Sequence, residues 1–366
     1  MIKTWPIYAK ITALLLLVYL LFYGLYIGQD ILAPLGFAFL FAVLLRPLEK
    51  KLIQWKVPKV LAIVLTLVLA ILVVAGLVAF LSKQITNFVK DIPAIKSNLN
   101  DLWSQFQHWL SSTFNLSKAQ QQKFIQKATT DTMDNIAPVS TLGVITASVA
   151  TIILVPVYIF LFLYYRTLLL RFFVELFEQE HHKNVNEVIQ EIRYVVQHYI
   201  TGLLTETSIV AVLNITGLLL IGAPFAILLG LISAILNLIP YIGGLVAVFL
   251  TALITFTNTG SINTAFLAII VFMIVQLIDN NFLVPRIIAS RVQLNALISI
   301  VGVLIGGAIC GISGMFLSIP IIAICKVIFD RVEDLKPWGK LLGDDIPKAI
   351  PFKHVLKRKR KPAASR

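Results

Sequence analysis

The stretch Thr264-Ala-Phe-Leu-Ala-Ile-Ile-Val-Phe-Met-Ile-Val-Gln276-Leu-Ile-Asp279-Asn-Asn-Phe-Leu-Val-Pro285-Arg286 ends an apolar run on a carboxylate, and the reading of that acid decides the fold. An ionised carboxylate at mid-membrane costs about 3 kcal/mol on insertion scales, so such residues face a protein interior, a cavity or an ion pathway. Asp279 is therefore expected inside a polar site of a membrane protein. The alternative places it near the headgroups, paired with Arg286 or Arg291.

Composition agrees with a membrane setting. Of 366 residues 58% are hydrophobic and only 13% charged, a balance that a soluble core cannot hide. Cys310 and Cys325 show no Cys-x-x-Cys spacing, so neither a disulfide framework nor a zinc site is expected.

Apolar runs at 11–27, 31–45, 60–81, 142–165 and 203–221 read as spans. After these the runs are short and come in pairs around breaks. Residues 225–239 and 241–256 flank Ile239-Pro240-Tyr-Ile-Gly243-Gly244, while 297–309 and 312–327 flank Gly306-Gly307-Ala-Ile-Cys-Gly311-Ile-Ser-Gly314, with Pro320 beyond. Each pair is a candidate re-entrant hairpin, tolerated at membrane depth only where protein or water satisfies the broken backbone. The expected fold is all-α: a polytopic α-helical integral membrane protein of about eight spans or span-equivalents.

Lys3 and Lys10 precede the first span, and Arg46, Lys50, Lys51, Lys56 and Lys59 follow the second. By the positive-inside bias both ends of that first pair are expected in the cytoplasm, as is the basic tail ending in Lys357-Arg-Lys-Arg-Lys361. The chain then divides into N-terminal spans (1–81), an extracytoplasmic amphipathic helical region (82–140), a span (141–165), a cytoplasmic amphipathic linker (166–200), a transport region with broken helices (201–330) and a basic cytoplasmic tail (331–366). In the extracytoplasmic region Ile92, Ile95, Leu99, Leu102, Phe106 and Trp109 form one helical stripe, with Pro93 marking its start. In the linker Val185, Val188, Ile192, Val195 and Tyr199 form another.

Several chemistries lack their residues. There is no Gly-x4-Gly-Lys-[Ser/Thr] phosphate cradle and no His-Glu-x-x-His. Gly311-Ile-Ser313-Gly matches a short serine-protease motif, but no histidine falls in a span to serve as base. Adjacent residues on a helix point about 100° apart and no carboxylate or thiol cluster with ligand spacing accompanies His181-His182, so no metal and no cofactor is expected, and the basic tail is read as a lipid-facing and orienting segment rather than a nucleic-acid patch.

What remains is a polar set in the broken half: Glu206 and Asn214 in one span, Asn237 before the Ile-Pro break, and Gln276, Asp279 and Asn280 at helical spacing. These are the expected solute- or ion-binding residues. The breaks at Pro240, Gly243, Gly244, Pro285, Gly306, Gly307, Gly311 and Pro320 are the expected hinges or hairpin turns, and Arg286 and Arg291 the expected charge partners. Ile232-Ser-Ala-x4-Ile239-Pro240 and Ile312-Ser-Gly-x4-Ile319-Pro320 echo each other, one in a leading arm and one in a trailing arm.

Gly222-Ala-Pro-Phe-Ala-Ile-Leu-Leu-Gly-Leu, Asn237-Leu-Ile-Pro-Tyr-Ile-Gly-Gly244, Gln276 to Arg286, and Gly306-Gly with Gly311-Ile-Ser-Gly314 and Ile319-Pro320 together resemble the autoinducer-2 exporter family of bacterial membrane proteins. Two stretches depart from the family pattern: Leu294-Asn295-Ala296 replaces a frequent Leu-His-Pro, and Gly243-Gly244 stands where Gly-Pro is frequent. The resemblance implies a multi-pass protein of the bacterial inner membrane, a homo-oligomer and specifically a pentamer, not an enzyme. It implies secondary transport of a small polar solute, with the quorum-sensing signal autoinducer-2 in view, or sodium(lithium)/proton antiport. A membrane scaffold or passive channel is the reading from another class.

Overall fold

The computed structural model describes residues 6–114, 141–239, 242–289 and 294–344. Long apolar runs with few breakers fold as helices, because in lipid only a helix satisfies its own backbone. Among the described residues these are α1 (Ile7–Ile27), α2 (Gln29–Gln54), α3 (Lys59–Phe114), α4 (Thr141–Tyr164), α5 (Arg166–Glu175), α6 (His182–Leu220), α7 (Ala226–Asn237), α8 (Ile242–Thr259), α9 (Ile262–Ile278), a π-helical segment (Asp279–Ala289), α10 (Ala296–Arg331) and α11 (Lys336–Leu342). Six helices are long and apolar enough to cross a membrane, and the bent pair α4–α5 makes a seventh. With the short pair α7–α8 the total is eight span-equivalents, an all-α polytopic membrane protein.

Two helix boundaries differ from those read in the sequence. Pro93 does not start a helix: α3 runs unbroken through it for 56 residues, about 84 Å at the usual rise. The reason is that the missing N–H and ring clash of a proline cost only about 3 kcal/mol, which a long helix with good formers on both sides absorbs. Of the stripe read there, Ile92 is exposed, and the side chains of Ile95, Leu99, Leu102, Phe106 and Trp109 lie outside the described residues. The second half of the linker and the following span are one helix, α6, since no proline stands between Lys183 and Leu220. Val195 and Tyr199 of its stripe are buried, with Val188 and Ile192 packed against them and against Leu40 of α2 and Leu317 of α10.

The α10 run would cross as one helix by length, but its backbone reverses at Cys310 (φ −127°, ψ 20°) and Gly311 (φ 58°, ψ −141°). The latter conformation is essentially glycine-only. Residues 296–309 and 312–331 thereby become antiparallel arms. A Cβ on Gly306 would strike the carbonyl of Gly314, so the arms meet backbone to backbone through small residues. At its base Asn295 caps the first arm, accepting from the Leu297 N–H at 2.9 Å, while its own N–H donates to the Leu342 carbonyl at 2.9 Å. Asparagine at this departure from the family pattern thus acts as a helix start.

The two hairpins enter the bundle from opposite ends. Lys59 at the start of α3 donates to the Tyr164 carbonyl at 2.8 Å, and Glu49, Lys59 and Arg193 share one electrostatic neighbourhood, so the starts of α3 and α6 lie together. Arg331 at the foot of the α10 hairpin reaches Glu187 and Glu191 near that same end of α6. The feet of the α7–α8 pair instead meet the far half of α3: Phe225 packs edge-on to Phe88 with centroids 5.1 Å apart, and the Thr257 carbonyl accepts from Asn98 at 2.8 Å. The tips of both hairpins therefore point into the bundle.

Candidate functional site

Tyr199, Glu206, Val210 and Asn214 follow one another at seven, four and four residues along α6 and are all buried, so one face of this post carries the site. Glu206 and Asp279 are each 3% exposed. Asp279 ends α9 where the helix widens into the π segment, and such widenings are rare and concentrate at functional positions. Gly202 permits this approach, because a Cβ there would lie 2.9 Å from the Ile287 carbonyl.

Asn237, at the tip end of α7, joins the two acids. Its Nδ2 donates to Glu206 Oε1 at 3.0 Å and to Asp279 Oδ2 at 3.2 Å, so both amide hydrogens are used on two carboxyls from two other helices. The carboxyls themselves lie within hydrogen-bonding reach of each other. Asn214 donates to Ser233 Oγ at 3.0 Å, and that hydroxyl donates to the Gly230 carbonyl at 2.7 Å. Among the described residues Asp279 Oδ1 and Asn214 Oδ1 are buried acceptors without a partner.

Between these groups lies a cavity of about 10 Å³ for the centre of a water-sized body, lined by Val210, Asn214, Ser233, Asn237, Gly244, Ala247, Phe272, Val275, Gln276 and Asp279. That is room for about one water or one bare monovalent cation. Gly244 holds the wall open, since a Cβ there would lie 3.0 Å from Gln276 Oε1.

The sequence-read residues separate on this geometry. Glu206, Asn214, Asn237, Gln276 and Asp279 come together. Asn280 does not: it is exposed and reaches the site only by accepting from Gln276 Nε2 at 3.3 Å, because it follows the buried Asp279 by one residue, about 100° round the helix. Arg286 is not the partner of Asp279, which is held by Asn237; the guanidinium lies over the Phe282 ring, 5.8 Å from its centroid. Arg291 and Pro240 lie outside the described residues. Pro285 sits exposed within the π segment, and Pro320 is buried in the second arm of α10. Gly243, Gly306, Gly307 and Gly311 all fall at hairpin tips or crossings. Thr205 and Ser208 beside Glu206 donate to their own helix, to the carbonyls of Thr201 and Leu204.

Ser233 and Phe272 were not anticipated. Ser233 stands four residues before Asn237, a spacing that puts both on one helix face and that the sequence displays. Phe272 looks like any other apolar residue of its run.

A bundle of spans with opposed broken hairpins, and polar groups converging where their tips meet, is the architecture of a membrane transporter. The chain belongs to the AI-2E family transporters, whose sequence profile matches residues 14–334. It is 28% identical over 314 residues to the putative transport protein YueF of Bacillus subtilis (strain 168), covering 81% of this chain and 82% of that one. It is 24% identical to the putative transport protein YhhT of Escherichia coli (strain K12), over 89% and 92% of the two chains. The AI-2 transport protein TqsA of the same strain is 24% identical, over 92% and 96%.

Proposed function

We propose that this transporter exports a small polar solute and draws its drive from an ion gradient through the Glu206–Asn237–Asp279 cluster. The carrying observation is one hairpin-tip amide shared by two buried carboxyls beside a cavity with unpartnered acceptors. Two ionised carboxylates within about 4 Å of each other repel by about 4 kcal/mol at an effective dielectric of about 20. The pair therefore favours a single shared proton or a bound cation over two bare charges. Asn237 ties that charge state to the position of the hairpin, which is what coupling requires.

Autoinducer-2 is the first solute to test, because one relative's name carries it. The observation that favours sodium(lithium)/proton antiport is the cavity, which has room for a bare cation but not for a furanose ring in this conformation. The protein is further proposed to sit in the inner membrane with both termini cytoplasmic and to assemble as a homo-oligomer, in keeping with an α1 that buries none of its residues. A pentamer is the assembly proposed.

Proteoliposomes decide between these readings. Solute counterflow that responds to an imposed pH gradient supports export; alkalinisation driven by sodium or lithium alone supports antiport. Flux that ignores both gradients and survives Asp279→Asn would leave only a passive channel or scaffold.

A further inference from the structure

Away from the transport site, a buried acid and four basic side chains from four helices form one chain of neighbours. Glu49 of α2 is 6% exposed, and its electrostatic neighbours are Lys59 at the start of α3 and Arg193 of α6. Arg193 is also close enough to Arg166, the first residue of α5, for the two guanidiniums to repel. Arg46, one turn before Glu49, has a buried Nε with no partner. None of these five residues appears in the ion pairs among the described residues. Lys59 is occupied by the Tyr164 carbonyl at 2.8 Å and by the ring of that tyrosine. One carboxylate thus stands in a group of four cations, and no ion pair among the described residues balances them.

The cluster's position says what does. The chain bends by 64° between α4 and α5. On α5 and its C-terminal cap Leu168, Phe172 and Leu176 form an exposed apolar stripe at four-residue spacing, with Phe173 beside it, while Arg166 is half-buried. A short helix bent away from a span, apolar on its outer side and carrying arginine toward the bundle, lies along the membrane interface. Its arginine then stands at headgroup depth.

We infer that Arg46, Lys59, Arg166 and Arg193 form a binding site for the phosphate of an anionic phospholipid, whose acyl chains lie against the stripe of α5. Arginine matches phosphate oxygens in pairs, and basic pockets between spans bind anionic headgroups. Glu49 has the separate task of holding Lys59 and Arg193 together when no lipid is bound. A soluble phosphate would meet the same guanidiniums but gain nothing from Leu168 and Phe172.

The test uses the purified full-length protein, the double variant Arg166→Gln/Arg193→Gln, and Lys336→Gln as a control outside the cluster. Thermal unfolding is followed in micelles containing phosphatidylglycerol, in micelles containing phosphatidylcholine, and in lipid-free micelles with inorganic phosphate. Phosphatidylglycerol is expected to stabilise wild type and the control while the other two do not. The double variant should bind it at least about twentyfold more weakly, about fivefold for each arginine. Equal stabilisation of the double variant overturns the site, and equal stabilisation by inorganic phosphate overturns the lipid in favour of a soluble anion. Phosphatidylglycerol that enlarges the oligomer without being retained would show that a second copy covers α5. If the double variant does not fold, Arg166→Lys and Arg193→Lys replace it, and native mass spectrometry of wild type decides: selective retention of phosphatidylglycerol over phosphatidylcholine, lost in high salt, supports the site, and indiscriminate retention overturns it.

Discussion

Ser318 donates its hydroxyl to the carbonyl of Gly302 at 2.9 Å, across sixteen residues of sequence. In a straight helix those groups would stand about 24 Å apart. The bond exists because Gly311 folds the apolar run back on itself, and the same hydroxyl also reaches the Gly314 carbonyl at 2.6 Å, in the four-residue pattern of its own helix. One serine hydroxyl is therefore shared between carbonyls of both arms, in a place where an unsatisfied backbone group is expensive.

The glycines of this hairpin are not equivalent. A Cβ at Gly306 meets the Gly314 backbone, which cannot yield without parting the arms. At Gly307 it meets the flexible end of Met315, with Cε at 2.6 Å. At Gly311 it meets nothing, but the positive φ penalises any side chain by about 1 to 3 kcal/mol. Gly306→Ala and Gly311→Ala should cut proteoliposome flux at least about tenfold and lower thermal stability, at a cost near the 1 to 3 kcal/mol of an overpacked contact. Gly307→Ala should stay within about 1 kcal/mol of wild type, because a methionine end can swing aside. Equal tolerance at all three positions would mean that the run is a straight span.

Asp279→Asn and Glu206→Gln keep the shape of the site and remove one ionisable group each. Both are expected to assemble normally and to lose gradient-driven flux by more than about a hundredfold, since one neutral amide leaves no charge state for the hairpin to sense. The sign of the wild-type response follows from the shared proton. Lowering pH on the side to which the cluster is open fills the proton site and competes with a bound cation; raising it frees the carboxylate and favours the cation. Flux that is indifferent to the sign of the pH gradient in wild type would remove the coupling role of the pair.

Asn237 separates a coupling element from a static polar contact. Asn237→Leu has similar volume but leaves two buried carboxyls without their bridge, so it should destabilise the protein by about 1 to 3 kcal/mol and uncouple transport. Asn237→Asp would place a third acid in the cluster and should fold only at low pH. Transport by Asn237→Leu at the wild-type rate would show that the hairpin does not read the charge of the acids.

Much of this was legible in the residues. Periodicity and length placed the spans, and the clustering of Gly306, Gly307 and Gly311 announced a break, because nothing else in so apolar a run needs three glycines. Glu206, Asn237 and Asp279 stood out as polar groups without a solvent to receive them. Their mutual contact did not, since it depends on which hairpin enters from which end, a relation between segments far apart in sequence. Asn280 misled for a local reason: it shares a face with Gln276 at four-residue spacing, but neighbouring residues on a helix stand about 100° apart, so burying Asp279 leaves Asn280 outside. Pro93 misled because a single breaker does not outweigh the helix on both of its sides.

The orientation can be tested through the long arm of α3. Lys59 at its start lies with the basic groups Arg166 and Arg193, and the positive-inside bias places that end in the cytoplasm. Ser112 is exposed, fifty-three residues further along the same helix, about 80 Å away and well past a hydrocarbon core of about 30 Å. With Cys310 and Cys325 replaced by alanine, a cysteine at position 112 should react with an impermeant maleimide in intact spheroplasts, and one at Lys183 only after permeabilisation. The pair of sites controls for leakage, because a broken membrane labels both. Labelling of position 183 alone in intact cells would invert the orientation, and with it the side from which each hairpin enters.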